Sequence, residues 1–275
     1  DTCVITNIGT CHLENLGDRD GVLKAKTEIF QSMKPNGHIV LNGDDDKLIT
    51  VREYNGVKPV FFGLNSERDV YADQIESKGL KGVACRIHLG EDAFDVLVPT
   101  PGIHMVYNAL AAAAVGRIYG LTIEEIRRGI ESLETIRGRF KMIETDKFLV
   151  VDDCYNANPM SMKASLDVLH DGEGRRVAIL GDMGELGEDE AALHEGVGIH
   201  AATCGIDACV CVGDLAVHIA EAARKANPDF PVYYEKTRES LLEHLNDYVQ
   251  KGDTILVKAS HFMKFEEVVK ALEEM

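Results

Sequence analysis

The spacing of apolar residues changes character along this chain and divides it into two parts. Beyond about residue 137, short apolar runs alternate with longer amphipathic stretches. The pattern predicts strand 148–151, helix 160–170, strand 176–180, helix 188–203, strand 208–212 and helix 215–226. It continues with strand 232–234, helix 238–249, strand 253–257 and a final amphipathic helix. Alternation of this kind predicts an α/β fold with a parallel, doubly wound sheet.

The first part is less regular. Val4, Ile5 and Ile8 place a strand over 2–8, followed by a loop over 9–17 that contains His12. A helix is expected over 19–33, because Val22, Leu23, Ile29, Phe30 and Met33 share one face at a 3.6-residue period. Lys26 falls inside that apolar stripe, whereas Lys24 points to the opposite side. A lysine there must carry its ammonium out to water or lose its charge. After the turn Pro35-Asn36-Gly37, the run HIVLNGDDD reads as a strand ending in Asn42 and the acids Asp44 to Asp46. From Val60 to Val98 short strands with glycine turns suggest a β-rich layer on one side of this domain. Pro101-Gly102 then breaks the chain before a helix over 104–119, and Thr122 with Glu125 forms a capping box for the next helix. The boundary between the two parts falls at about Glu134 to Arg139, giving domains 1–136 and 137–275.

Composition narrows the functions available. A chain of 275 residues accommodates two domains of ordinary size. Its net charge of −17 argues against a nucleic-acid surface, which needs a basic patch, and requires any phosphate site to be locally basic or assisted by a metal. No apolar run approaches the ~20 residues of a membrane span. No signal peptide is visible, and the seven scattered cysteines contain no C-x-x-C pair, which points to the reducing cytoplasm. Cys209 and Cys211 share one face of a strand and read as packed thiols. Asp1 is not an initiator, and a strand begins at once, so the chain reads as a fragment. No G-x-x-x-x-G-K-[ST] phosphate loop occurs in it.

Candidate chemistry gathers after the strands of the second part. The run FLVV ends in Asp152 and Asp153, and the polar turn Tyr155-Asn156-Ala157-Asn158-Pro159 follows. Ligands of α/β folds bind at the carboxyl ends of strands, although Asn, Asp and Pro are also ordinary turn formers. The loop LGDMGELGEDE has its glycines at positions 181, 184 and 187. That spacing is not the dinucleotide fingerprint, and Asp182, Glu185 and Glu188 would repel a pyrophosphate, so a nicotinamide-dependent oxidoreductase is disfavoured.

Taken in order, the words NIGTCH, KAKTEI, NGDD, GIHMVYNA, DDCYNANPMSM, LGDMGELG and KASH resemble the signatures of the Mur ligases over the whole chain. DDCYNANP and LGDMGELG resemble the member of that family that adds D-alanyl-D-alanine. The resemblance implies the carboxyl-terminal part of a central ATPase-type α/β domain, followed by a Rossmann-like doubly wound C-terminal domain. It implies an ATP-dependent peptide ligase of peptidoglycan precursor synthesis, acting on UDP-N-acetylmuramoyl-tripeptide and D-alanyl-D-alanine in the bacterial cytoplasm. ATP and Mg²⁺ are the implied cofactors, and a monomer is expected.

By carry-over onto matching positions, His12 and a carbamylated Lys26 would hold Mg²⁺. Asn108 would contact adenine, with Asn42 and Asp44 close to the nucleotide. Arg139 would meet the phosphates or ribose, and Asp153 the ribose side. Asn156, Asn158, Lys258 and Ser260 would line the substrate side. Three positions depart from the family words: Met105 stands where an asparagine is usual, and Ala259 and His261 stand in the usual K-G-S-R. These departures keep open a non-catalytic relative that retains the fold. The missing phosphate loop would leave the isolated fragment inactive.

Overall fold

The computed structural model describes residues 1–9 and 16–275, which form two compact units, Asp1–Glu134 and Thr135–Met275. Each is a mixed α/β unit built on a six-stranded sheet.

In the first unit the strands lie side by side in chain order: β1 (Thr2–Ile5), β2 (His38–Asn42), β3 (Val60–Gly63), β4 (Val70–Ser77), β5 (Val83–Leu89) and β6 (Asp92–Val98). The first four are parallel, and β4, β5 and β6 continue as an antiparallel meander. The glycine-punctuated strands expected as a β-rich layer on one side of the domain form one end of this sheet. They extend the same sheet, because two short turns return the chain beside β4. Helices α2 (Ile103–Ile118) and α3 (Ile123–Glu131) pack on one face around Val40, Phe62, Ile87, Val106, Leu110 and Ile126. Ala109, Ala111, Ala113 and Ala114 are buried, so this helix approaches the sheet closely. The Thr122–Glu125 capping box forms as read from the sequence.

The opposite face of β1 and β2 is covered by α1 (Arg19–Thr27) and the turns around it, with Ile5, Ile8, Val22, Phe30, Ile39 and Leu41 inside. Two elements are shorter than expected. The first strand ends at Ile5 instead of residue 8, because the Ile8 N–H turns away to Asp45 Oδ2 at 2.8 Å. The helix expected to reach residue 33 is α-helical only to Thr27 and then tightens into a 3₁₀ segment, Glu28–Ser32. Thr27 Oγ1 donates to the carbonyls of Leu23 and Lys24, a side-chain competition that disturbs the helical ladder there. The apolar stripe narrows accordingly. Ile29 is 49% exposed, and Lys26 lies at the surface and not within a buried face.

The second unit follows the predicted alternation. Its elements are β7 (Lys141–Glu144), β8 (Leu149–Asp152), α4 (Pro159–His170), β9 (Arg176–Gly181), α5 (Glu190–Thr203), β10 (Ala208–Val212) and α6 (Ala216–Ala226). They continue with β11 (Val232–Glu235), α7 (Arg238–Tyr248), β12 (Thr254–Lys258) and α8 (Glu266–Glu274). The first turn expected for the helix at 188 is a 3₁₀ segment, Gly187–Asp189. Strand order is β11-β10-β9-β12-β8-β7, parallel throughout except for the edge strand β7. Helices α7 and α8 cover one face, with Leu241, Leu245, Val268 and Leu272 against Val177, Ile179, Val210 and Ile255. Helix α4 packs on β9 and β12, α6 on β10 and β11, and α5 between α4 and α6. Covered on both faces, β10 and β12 are buried at every position, and β10 and the middle of β12 are accordingly apolar.

The last strand of the chain decides where the site can form. Strand β12 enters between β8 and β9, pairing Val257 with Asp152 and Lys258 with Leu180. The loops after β8, β9 and β12 consequently leave three neighbouring strands at the same edge, where the winding reverses.

Candidate functional site

At that edge the two consecutive aspartates have separate roles. Asp152 is 3% exposed, and its Oδ2 accepts the Gly138 N–H at 2.8 Å while Oδ1 accepts the Cys154 thiol at 3.0 Å. Burial first, and then the Asp152 carboxylate, push the Cys154 thiol far above its ordinary pKa, so it stays protonated as a donor. Gly138 in turn accepts the Tyr155 N–H at 2.9 Å, and its φ of +78° suits a residue without Cβ. A Cβ at Gly138 would lie 3.2 Å from that of Tyr155. This tether puts Arg139 over the Tyr155 ring, 4.0 Å from its centroid. The His261 ring also meets this shelf, tilted by 38° with its centroid 5.6 Å from that of Tyr155. Other arginines of this unit are paired with carboxylates: Arg137 with Glu273, Arg175 with Asp253 and Arg176 with Asp207. Arg139 has no such partner among the described residues. A guanidinium resting on an aromatic face keeps its in-plane donors for an anion.

Asp153 is held from beneath. Its Oδ2 accepts Lys258 Nζ at 2.6 Å and Ser165 Oγ at 2.7 Å. Lys258 is almost fully buried and also donates to the Asn156 carbonyl at 3.1 Å. Lys258 therefore lies under the site and braces both Asp153 and the turn after it. Within that turn the exposed Asn156 accepts the Ala157 N–H on its side chain, and Asn158 caps α4 in a capping box with Ser161. Ser260 is also buried. Its Oγ accepts the Gly184 N–H at 2.9 Å and donates to the Ala157 carbonyl at 3.5 Å. The serine expected to line the substrate side thus joins all three loops.

Below the loop over 182–187, Asp182 accepts the N–H groups of Leu215 and Ala216 at 3.0 and 2.7 Å, at the start of α6. Burial pushes its carboxyl above the ordinary range, partly opposed by these donors. Gly213, with φ +126°, has no room for a Cβ beside that carboxylate. His194 is fully buried. Burial holds it below the ordinary histidine pKa, and its Nε2 accepts the Met183 N–H at 2.9 Å. The amides of Met183 and Gly184, which would have to face a dinucleotide pyrophosphate, are thus already taken.

The first unit gathers polar groups at the ends of β1 and β2. Lys26 Nζ is exposed and donates to the Asn7 carbonyl at 2.9 Å. His12 lies outside the described residues. Before the undescribed residues, Ile8 is held on both sides: Arg19 Nε donates to its carbonyl at 2.9 Å and Asp45 accepts its N–H. Asn42 bridges Thr6 and Asp44, donating to the former at 3.0 Å and accepting the latter's N–H at 2.9 Å. Asp44 pairs with Arg68 at 3.0 Å and accepts the Tyr107 hydroxyl at 3.2 Å. Burial first, and then Asp44, push that hydroxyl up to about 12. Both side chains therefore have internal partners and tie β2, the loop after β3 and α2 together. Asn108 is exposed at the rim of an apolar cleft of about 440 Å³ lined by Met105, Ala109, Ile126, Ile130 and Leu133, and its amide donates to Met105 Sδ at 3.4 Å. The methionine departure thus occupies the neighbouring amide. No group of three or more His, Cys, Asp or Glu side chains converges as a metal site among the described residues.

Ser165, Tyr155 and His194 were given no role from the sequence. Ser165 and His194 lie on helices whose apolar spacing explains them adequately, and Tyr155 stands in a turn word dominated by its asparagines. Only the contacts across strands and loops single them out.

Parallel α/β units that collect cations, amides and carboxylates at their strand ends are a framework for handling phosphorylated ligands. Residues 1–116 match the Mur ligase middle domain, and residues 138–261 match the domain described as Mur ligase, glutamate ligase domain. The chain belongs to the Mur ligase family. It is 35% identical over its full length to the UDP-N-acetylmuramoyl-tripeptide--D-alanyl-D-alanine ligase of Bacillus subtilis and 34% identical to that of Escherichia coli, covering 59% and 60% of those proteins. The crystal structure of MurF from Acinetobacter baumannii superposes over all of the chain and 60% of its own, with a TM-score of 0.88 and 32% identity. The MurF ligase of Thermotoga maritima in complex with ADP matches 99% of the chain and 61% of its own, with a TM-score of 0.82 and 27% identity. The chain spans about 60% of the length of the relatives it matches.

Proposed function

We propose that the protein containing this chain is the ligase that adds D-alanyl-D-alanine to UDP-N-acetylmuramoyl-tripeptide at the expense of ATP, in the bacterial cytoplasm. The observation that carries this reading is similarity over the whole chain to ligases of that name, with the family's signature words at strand ends. In the reaction, an oxygen of the tripeptide's terminal carboxylate takes the γ-phosphoryl group of ATP, ADP leaves, and the carboxylate becomes an acyl phosphate. The free amine of the dipeptide then attacks the acyl carbon, the amide bond forms and inorganic phosphate leaves. Both steps bring anions together, so positioned cations and fixed N–H donors contribute most.

In the second unit Arg139 is the residue for the nucleotide anion. Its support comes from the Tyr155 shelf and from the absence of a carboxylate partner among the described residues. Asp153 accepts a ribose hydroxyl, while Lys258 and Ser165 fix its carboxylate. Asn156 is exposed and can meet substrate; Asn158, Lys258 and Ser260 shape the loops that do so. In the first unit Asn108 contacts the adenine at the mouth of its apolar cleft. Asn42 and Asp44 hold the loop beside the nucleotide and do not need to touch it.

Lys26 would hold Mg²⁺ with His12 only after carbamylation reverses its charge, and its exposed Nζ at the end of β1 leaves room for that group. Mg²⁺ would neutralise phosphate charge there. The test is phosphate release by the complete protein with ATP, Mg²⁺, the UDP-linked tripeptide and D-alanyl-D-alanine, omitting each in turn. Release that needs every component is expected; tight nucleotide binding with no release would instead identify a non-catalytic relative.

A further inference from the structure

We propose that His194 is a positioning residue that sets the loop over 182–187 and, through it, the Ser260 hydroxyl and the exposed Phe262. The kinetic part of the claim rests on the ligase reading, whereas the structural part does not.

The ring bridges two backbone groups. Met183 N–H can only donate, so Nε2 at 2.9 Å carries no proton. The proton therefore sits on Nδ1, which donates to the Glu190 carbonyl at 2.7 Å, one turn earlier on α5. Both nitrogens are used and one neutral tautomer is fixed. Asp182 at the end of β9, Glu190 on its own helix and His218 on α6 are the titratable groups that act on the ring.

What hangs from this bridge is the loop's contact with its neighbours. One residue beyond Met183, the Gly184 N–H donates to Ser260 Oγ at 2.9 Å, and the Ser260 N–H returns to the Asp182 carbonyl at 3.0 Å. A Cβ built on Gly184 would lie 3.0 Å from the Phe262 ring, so that ring rests against the glycine. Glu185 follows with φ +61°, a conformation disfavoured for a residue with a side chain and sustained by its surroundings. The loop is thus pinned by His194 on one side and by Ser260 on the other. Phe262, 62% exposed, is displayed from the second pin.

The two nitrogens can be tested separately. In His194→Gln the side-chain carbonyl can still accept the Met183 N–H. In His194→Asn the shorter amide can reach Glu190 but not Met183. Amide hydrogen exchange of the 275-residue chain is the first readout. Asn should speed exchange at Met183 and Gly184 by about tenfold, the scale of one lost hydrogen bond, while β10 amides stay as in wild type and Gln stays close to wild type. His194→Phe, with the volume but no acceptor, replaces Asn should that variant fail to fold.

In the complete protein the Asn variant should raise the KM for D-alanyl-D-alanine by about tenfold with the KM for ATP unchanged, and Gln should reverse the effect. Unaltered exchange at Met183 and Gly184 in both Asn and Phe would overturn the proposal, as would equal effects of Asn and Gln. The expected exchange pattern in a protein without ligase turnover would keep the positioning role and remove the ligase reading.

Discussion

The Lys258–Asp153 pair ties the last strand of the second unit to its first parallel one, and its removal has a calculable effect. The Lys258 side chain is 3% exposed and that of Asp153 16%, with 2.6 Å between Nζ and Oδ2. Breaking a buried pair by removing one partner costs about 3–5 kcal/mol, because the remaining charge is left uncompensated. Lys258→Met should fall at the lower end, about 3 kcal/mol, since Asp153 keeps its bond from Ser165 and some contact with water. Asp153→Asn should cost a similar amount by stranding the buried ammonium. The double variant carries no stranded charge and should be more stable than the sum of the two by about 2 kcal/mol. With a urea slope of about 2 kcal/mol/M, each single variant shifts the midpoint of this unit by about 1.5 M. Far-ultraviolet circular dichroism and tyrosine fluorescence can follow unfolding in a chain that contains no tryptophan, and hydrogen exchange can assign the transition to the second unit. Additivity within about 0.5 kcal/mol would refute the coupling.

Four further outcomes are expected. His194 is depressed in the folded state, so as pH falls below its ordinary value of about 6.5 the unfolded chain takes up a proton that the folded one resists. Stability of the second unit should therefore fall by up to about 1.4 kcal/mol per pH unit more in wild type than in His194→Gln, as read from urea midpoints; parallel profiles would contradict this. Thr122→Ala removes the acceptor of the Glu125 N–H in the α3 capping box and should cost the first unit about 1 kcal/mol, largely restored by serine. In the complete protein Arg139→Ala should raise the KM for ATP by about tenfold or more, the scale of a lost charge-assisted bond, and leave the amine KM unchanged. Lys26→Ala should abolish turnover, with partial rescue by small carboxylic acids; full activity would remove the carbamate from the mechanism.

The parts of the fold legible from the sequence are those set by local periodicity. Strands β9, β10 and β12 are apolar at nearly every position, and the expected bounds agree with them to within one residue. Strand β7 was missed because its residues are only partly buried at a sheet edge, so KMIE carries no continuous apolar run. The order of strands was not readable, since the place of β12 is fixed by pairing with residues about a hundred positions away. The same distance hid the logic of the site. Asp153, Asn156, Lys258 and Ser260 stood out individually, but only the insertion of β12 makes Lys258 a brace and Ser260 a junction. Lys26 shows the converse limit. A helical wheel placed it in an apolar stripe, while the transition to 3₁₀ geometry after Thr27 leaves it exposed at the end of β1.

The most direct test of the ligase account follows the oxygen atoms. The UDP-linked tripeptide would be labelled with heavy oxygen in its terminal carboxylate and turned over by the complete protein with ATP, Mg²⁺ and D-alanyl-D-alanine. An acyl phosphate requires that one labelled oxygen leave with the phosphate, so mass spectrometry should find one heavy oxygen per inorganic phosphate released. Unlabelled phosphate accompanying amide formation would contradict the mechanism proposed here.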